Sequence, residues 1–181
     1  MKLLAPFVAA FLATLPAHAQ SSPTPAAAPA TPAAPCADAE HRAFDFWVGS
    51  WDVTPFAGGP LVAHSLIERL YGGCAIRENW MPIGKAGGGS VSNYDAGLGS
   101  WHQNWVDSSG TRVEFTGGME ADAMVLTGIW AGVAGGKDGY VRMTYSRQPH
   151  GAVRQKGEVS TDNGRTWSPS FDFLYSPSKS D

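Results

Sequence analysis

The chain has 181 residues, 43% apolar and 16% charged, which suits one globular domain and excludes a protein that is mainly disordered. Lys and Arg number 13 against 16 Asp and Glu, a net charge of -3, and no Lys/Arg-rich run occurs, so the basic footprint that a nucleic-acid partner requires is absent from the sequence. Gly at 22, Pro at 13 and Trp at 7 favour short strands joined by tight turns, because Gly and Pro are penalised inside helices.

Residues 1–19 read as a secretory signal peptide: Lys2, an apolar run from Leu3 to Leu15 broken by Pro6, then Ala17-His18-Ala19 as a small-x-small cleavage site. The run is shorter than the roughly 20 apolar residues that cross a bilayer, and no second stretch approaches that length, so no membrane span is expected. Residues 20–35 are almost entirely Ala, Pro, Ser and Thr, which cannot offset the entropy of ordering and predict a disordered, proline-stiffened linker. The folded domain is expected over 36–181, in the periplasm or outside the cell. In that oxidising setting Cys36 and Cys74 predict one disulfide, with two buried free thiols as the alternative.

From Asp52 onward, β-prone runs alternate with turn signals at the spacing of an all-β sandwich or barrel. The expected strands are Ser50 to Phe56, Leu61 to Tyr71, Cys74 to Met81, Gly89 to Asp95, Ser100 to Asp107, Thr111 to Glu120, Ala123 to Ala131, Gly139 to Arg147, Val153 to Thr161 and Ser168 to Tyr175. Each connection is short, so neighbours pair as hairpins in an antiparallel up-and-down order of about nine or ten strands. Alternation sets Ile76, Glu78 and Trp80 on one face, as it does Trp101, Gln103 and Trp105, then Met124, Leu126 and Trp130, then Val141, Met143 and Tyr145. Closing the sheet gives an aromatic inner face with a few polar groups and removes the exposed edges.

Phe44-Asp45-Phe46-Trp47-Val48-Gly49-Ser50-Trp51 precedes and enters the first strand. Its Gly49-x-Trp51 element resembles the signature that opens the barrel of lipocalins and other calycins. With Glu78-Asn79-Trp80 and Trp101-His102-Gln103-Asn104-Trp105-Val106-Asp107-x-x-Gly110, most of Phe44 to Tyr175 is similar to exported bacterial proteins of unknown function with a lipocalin-like or nitrobindin-like barrel. That resemblance implies a short helical turn plugging one end, with Trp51 packed over it. It assigns no cofactor: haem belongs to the nitrobindin-like branch, and no residue here clearly matches its ligating His.

Ser160-x-Asp162-x-Gly164-x-Thr166-Trp167 matches the Asp box of sialidase-type propellers and other β proteins. Asp162 is placed to accept backbone N–H bonds across the turn, Gly164 supplies a positive φ, and Trp167 packs back on the hairpin. One copy cannot build a propeller, so its expected role is structural.

Catalytic motifs are missing from the sequence. No Gly-x-Ser-x-Gly elbow occurs, the glycines after Lys85 do not form a phosphate loop, and His41, His64, His102 and His150 lack metal-ligand spacing. His64 and His102 are candidate haem or metal ligands, with solvent-facing strand positions as the alternative. Glu78 is the outstanding titratable residue. On an apolar inner face its carboxyl has either a raised pKa or a cationic partner such as Arg142. The expected ligand-binding set is Glu78, Trp80, Trp101, Gln103, Trp105, Trp130 and Arg142, holding a small hydrophobic or amphipathic molecule. The alternatives are an isomerase or hydrolase using Glu78 as general acid/base and an envelope protein-interaction module.

Overall fold

A computed structural model describes residues 34–179; the expected signal peptide and all but the end of the expected linker lie outside those residues. A short helix, α1 (Ala39–Arg42), and a 3-10 turn (Asp45–Trp47) lead into ten strands: β1 (Gly49–Pro55), β2 (Ala63–Leu70), β3 (Ala75–Pro82), β4 (Gly88–Asp95), β5 (Ser100–Asp107), β6 (Arg112–Glu120), β7 (Ala123–Ala134), β8 (Lys137–Arg147), β9 (Val153–Ser160) and β10 (Ser168–Pro177). Each strand pairs antiparallel with its sequence neighbours, and β1 also pairs with β10, closing the barrel. The fold is all-β and up-and-down, compatible with a calycin-like architecture.

Most strand ends lie within one residue of the sequence reading; those that differ by two or three are the start of β2, the facing ends of β7 and β8, and the end of β10, which runs to Pro177 rather than Tyr175. β2 starts at Ala63, two residues after the expected Leu61; Val62, just before it, bonds both neighbours, its N donating to Val53 O at 2.8 Å and its O accepting from Ile83 N at 2.9 Å, but precedes the regular ladder. β7 continues to Ala134, past the expected Ala131, and β8 starts at Lys137. Only Gly135-Gly136, both at positive φ, is needed to turn the hairpin, the two-residue loop whose twist matches paired strands.

Strand alternation divides the residues. Trp51, Val53, Ile67, Ile76, Val113, Phe115, Met124, Leu126, Val141, Met143, Tyr145 and Tyr175 are buried in the interior, while intervening Arg, Glu, Asn and Thr face outward. One end is sealed from the N-terminal side. Phe44 and Trp47, both fully buried, stack at 4.9 Å, and Phe44 meets Trp101 and Tyr145 edge-on at 5.7 and 5.0 Å. Trp51 fixes this plug by donating its Nε1 hydrogen to the Trp47 carbonyl, 2.9 Å. At Gly49 an added Cβ would lie 3.1 Å from the Trp51 ring, so the small residue lets the indole fold back. Asp45 adds a polar latch to Arg42 and Arg69, at 2.9 and 2.5 Å. The disulfide Cys36–Cys74, with 5.0 Å between Cα atoms, ties the segment before α1 to the turn between β2 and β3.

Candidate functional site

Above the plug the barrel holds a cavity of about 260 Å³. Its lining is Glu78 and Trp80 from β3, Gln103 and Trp105 from β5, Phe115 from β6, Trp130 from β7, Met143 and Tyr145 from β8, Gln155 from β9, and Phe171, Phe173 and Tyr175 from β10. Trp80, Trp105 and Phe173 also border a wider depression of about 680 Å³ at the opposite end from the plug, formed by the loops around Leu61, Lys85 and Ser108. The glycine-containing segment after Lys85 therefore lies at the barrel mouth.

Three polar groups of the cavity are held by directly opposed cross-strand partners, while the Trp105 Nε1 hydrogen is buried with no partner among the described residues. Glu78 stands opposite Ser90, whose hydroxyl donates to its Oε2 at 2.9 Å. Gln103 stands opposite Ser92 and donates to it at 3.0 Å. Tyr145 stands opposite Gln155, which donates to the phenol oxygen at 2.9 Å and accepts from Tyr175 OH at 2.6 Å. Directly opposed side chains in an antiparallel pair are the closest neighbours a sheet offers, so this network follows from register. Gly157 makes room for the aromatic wall: a Cβ there would meet the Phe171 ring at 2.3 Å. Phe171 then stacks on Phe173 at 5.4 Å, and Phe173 leans on Trp80 at 5.6 Å.

Burial raises the Glu78 carboxyl from the ordinary 4.5 to about 7, with the Ser90 hydrogen bond opposing the shift. Burial also pushes the Tyr145 and Tyr175 phenols well above the usual tyrosine value, and the charge of Glu78 adds to it. Both tyrosines are therefore neutral hydrogen-bonding groups.

Of the residues singled out in the sequence, Glu78, Trp80, Gln103, Trp105 and Trp130 come together around the cavity. Trp101 does not line it. It lies one layer lower, on the plug, with its Nε1 hydrogen donated to the Glu40 carbonyl at 3.2 Å. Arg142 is not the partner of Glu78 either. With Val141 and Met143 pointing inward, the pleat turns Arg142 outward, where it binds Glu158 at 2.8 Å and covers the Trp167 ring at 4.2 Å. His64 sits on the outer face against Asp52 at 2.9 Å, and His102 bonds Ser100 at 3.1 Å. Among the described residues no group of three His, Cys, Asp or Glu is placed to hold a metal ion.

Sequence reasoning missed Gln155 and Tyr175 on the polar floor. Gln155 lies between Arg154 and Lys156 and reads as surface, although the period-two series Val153, Gln155, Gly157 marks its inward row. Phe171, Phe173 and Tyr175 form a similar inward row on β10.

The Asp-box turn lies away from the cavity. Asp162 accepts from Ser160 Oγ, Thr166 N and Thr166 Oγ1 at 2.7, 2.9 and 2.7 Å, and Ser160 Oγ in turn accepts from Gly164 N at 2.8 Å. Gly164 has φ 80°, and Trp167 packs on Tyr140 at 5.7 Å. Each bond is spent within the hairpin, as a structural staple requires. Set beside known proteins, the chain matches no family model, and no curated protein matches its sequence.

Proposed function

We propose that this protein is an exported binding barrel that holds a small, mainly apolar or amphipathic molecule. The observation that carries the reading is the cavity itself: one end sealed by Phe44 and Trp47, aromatic walls, and polar side chains converging on its floor. Pockets of this make-up orient ligands through a few fixed polar groups while apolar walls supply most of the affinity. At about 260 Å³ the cavity falls just below the roughly 300 Å³ typical of drug-sized sites, which favours a compact ligand. The Cys36–Cys74 bridge supports export, since such bonds persist in oxidising compartments.

Native mass spectrometry of protein purified from its own host tests this directly, with a bound small molecule as the expected result. Trp105→Ala should weaken retention by about threefold to tenfold, the value of one aromatic contact. If no molecule is bound, no lipid or aromatic compound alters tryptophan fluorescence, and Trp105→Ala costs on the order of 3–5 kcal/mol of stability, the barrel interior is a solid core.

A second reading rests on the same carboxyl. A pKa of about 7 on a group that lines a cavity suits general acid/base work of an isomerase or hydrolase. Glu78→Gln distinguishes the two: a bound molecule that is retained and unchanged in both forms supports binding, and conversion of that molecule by the unsubstituted protein alone supports catalysis.

A further inference from the structure

The charge of the occupant can be inferred from the cavity, on the premise that the binding reading holds. Glu78 Oε2 accepts from Ser90, whereas Oε1 accepts no hydrogen bond from any described residue. No Lys, Arg or His lines the cavity. Two arginines on inward rows, Arg69 and Arg147, are at the plugged end, where Arg69 binds Asp45 and Arg147 covers the Phe46 ring. The strands flanking Glu78 oppose it with Ile67 and Ser90, and the ionisable groups facing it across the barrel are the phenols of Tyr145 and Tyr175.

Once it loses its proton, Glu78 is a desolvated carboxylate with no counter-charge among the lining residues, an arrangement that a cationic partner would complete. The walls that surround it are aromatic, and aromatic rings attract cations at their faces through their quadrupole. A ligand carboxylate would instead meet a like charge with no cation between them. We propose that the barrel selects a small hydrophobic amine, its ammonium donating to Glu78 and its apolar part lying among Trp80, Trp105, Phe171 and Phe173.

The test uses three probes on one phenyl-alkyl frame: 2-phenylethylamine, 2-phenylethanol and 3-phenylpropanoate, each titrated into the intact protein by tryptophan fluorescence. The amine should bind at least about tenfold more tightly than the alcohol, as expected for a charge-assisted bond, and the carboxylate should bind most weakly. Amine affinity should rise between about pH 6 and pH 8 as Glu78 loses its proton, since an alkylammonium stays charged up to a pKa of about 10. Glu78→Gln should bring amine and alcohol within about threefold of each other. The probe and pH series on the unsubstituted protein do not depend on that variant folding. Equal or tighter binding of the alcohol or carboxylate, or amine affinity that falls with pH, overturns the amine assignment and leaves the binding barrel standing. If none of the probes binds while a native mass spectrum shows a bound molecule, the amine assignment alone is overturned. If none binds and no molecule is found, both readings fall.

Discussion

Glu78 is protonated more readily in the barrel than in the unfolded chain, since its pKa is about 7 when folded against an ordinary 4.5. Between those values the folded state carries the extra proton, so this residue makes stability fall as pH rises through the window and then level off. At about 1.4 kcal/mol per unit, the charged carboxyl costs the fold on the order of 3 kcal/mol above pH 7. Glu78→Gln preserves an oxygen for the Ser90 hydroxyl and removes the charge. Urea unfolding should find the variant more stable by about that amount near pH 8 and nearly equal to the original near pH 4.5. A variant that keeps the original slope would assign the pH dependence elsewhere. Glu78 was legible in the sequence because Ile76 and Trp80 flank it at period two, whereas the partner suggested for it, Arg142, was offered on charge alone. Its own neighbours, Val141 and Met143, had already turned it outward. Gln155 was hidden for the opposite reason, since two flanking cations mask the inward position.

At the scale of elements, turn chemistry wrote most of the fold into the sequence. The ten strands stand where alternating runs meet Gly, Pro, Asn and Asp, and the ends that moved furthest, at Ala63, Ala134, Lys137 and Pro177, are those where pairing rather than composition sets the limit. The hairpin of β9 and β10 shows how local such a signal is. Asp162 is held at a pKa of about 2, chiefly by the Thr166 backbone N–H, then by the hydroxyls of Thr166 and Ser160. Its sign is the reverse of that of Glu78: the contribution is complete above the ordinary 3.8 and disappears as pH falls toward 2. Asp162→Ala should speed hydrogen exchange at Thr166 N and Gly164 N while leaving the cavity amides of β3 and β5 unchanged. Faster exchange throughout the barrel would show that the turn supports the whole sheet. Register was not legible in this way, and without it the pairs Glu78 with Ser90 and Tyr145 with Gln155 could not be written down.

For the whole molecule, the disulfide acts on the unfolded chain by closing a loop between residues with a sequence separation of 38. In the chain-entropy model that is worth roughly 4 kcal/mol. Reduction should lower the melting temperature by roughly 10 °C while far-UV circular dichroism at low temperature is unchanged. An unaltered melting point would mean that the plug holds without its covalent tie. The remaining consequence comes from the way the sheet closes. Nine ladders join strands adjacent in sequence, and one, between β1 and β10, joins the first strand to the last. The nine have low contact order and form as a meander; the tenth is a seam that must wait for the ends to meet. Until it does, two unpaired edges invite strand exchange between copies. Tyr175 pairs across that seam with Val53 and also donates to Gln155 on the cavity floor, so the closing ladder and the polar floor of the cavity share one side chain, and opening the first disturbs the second.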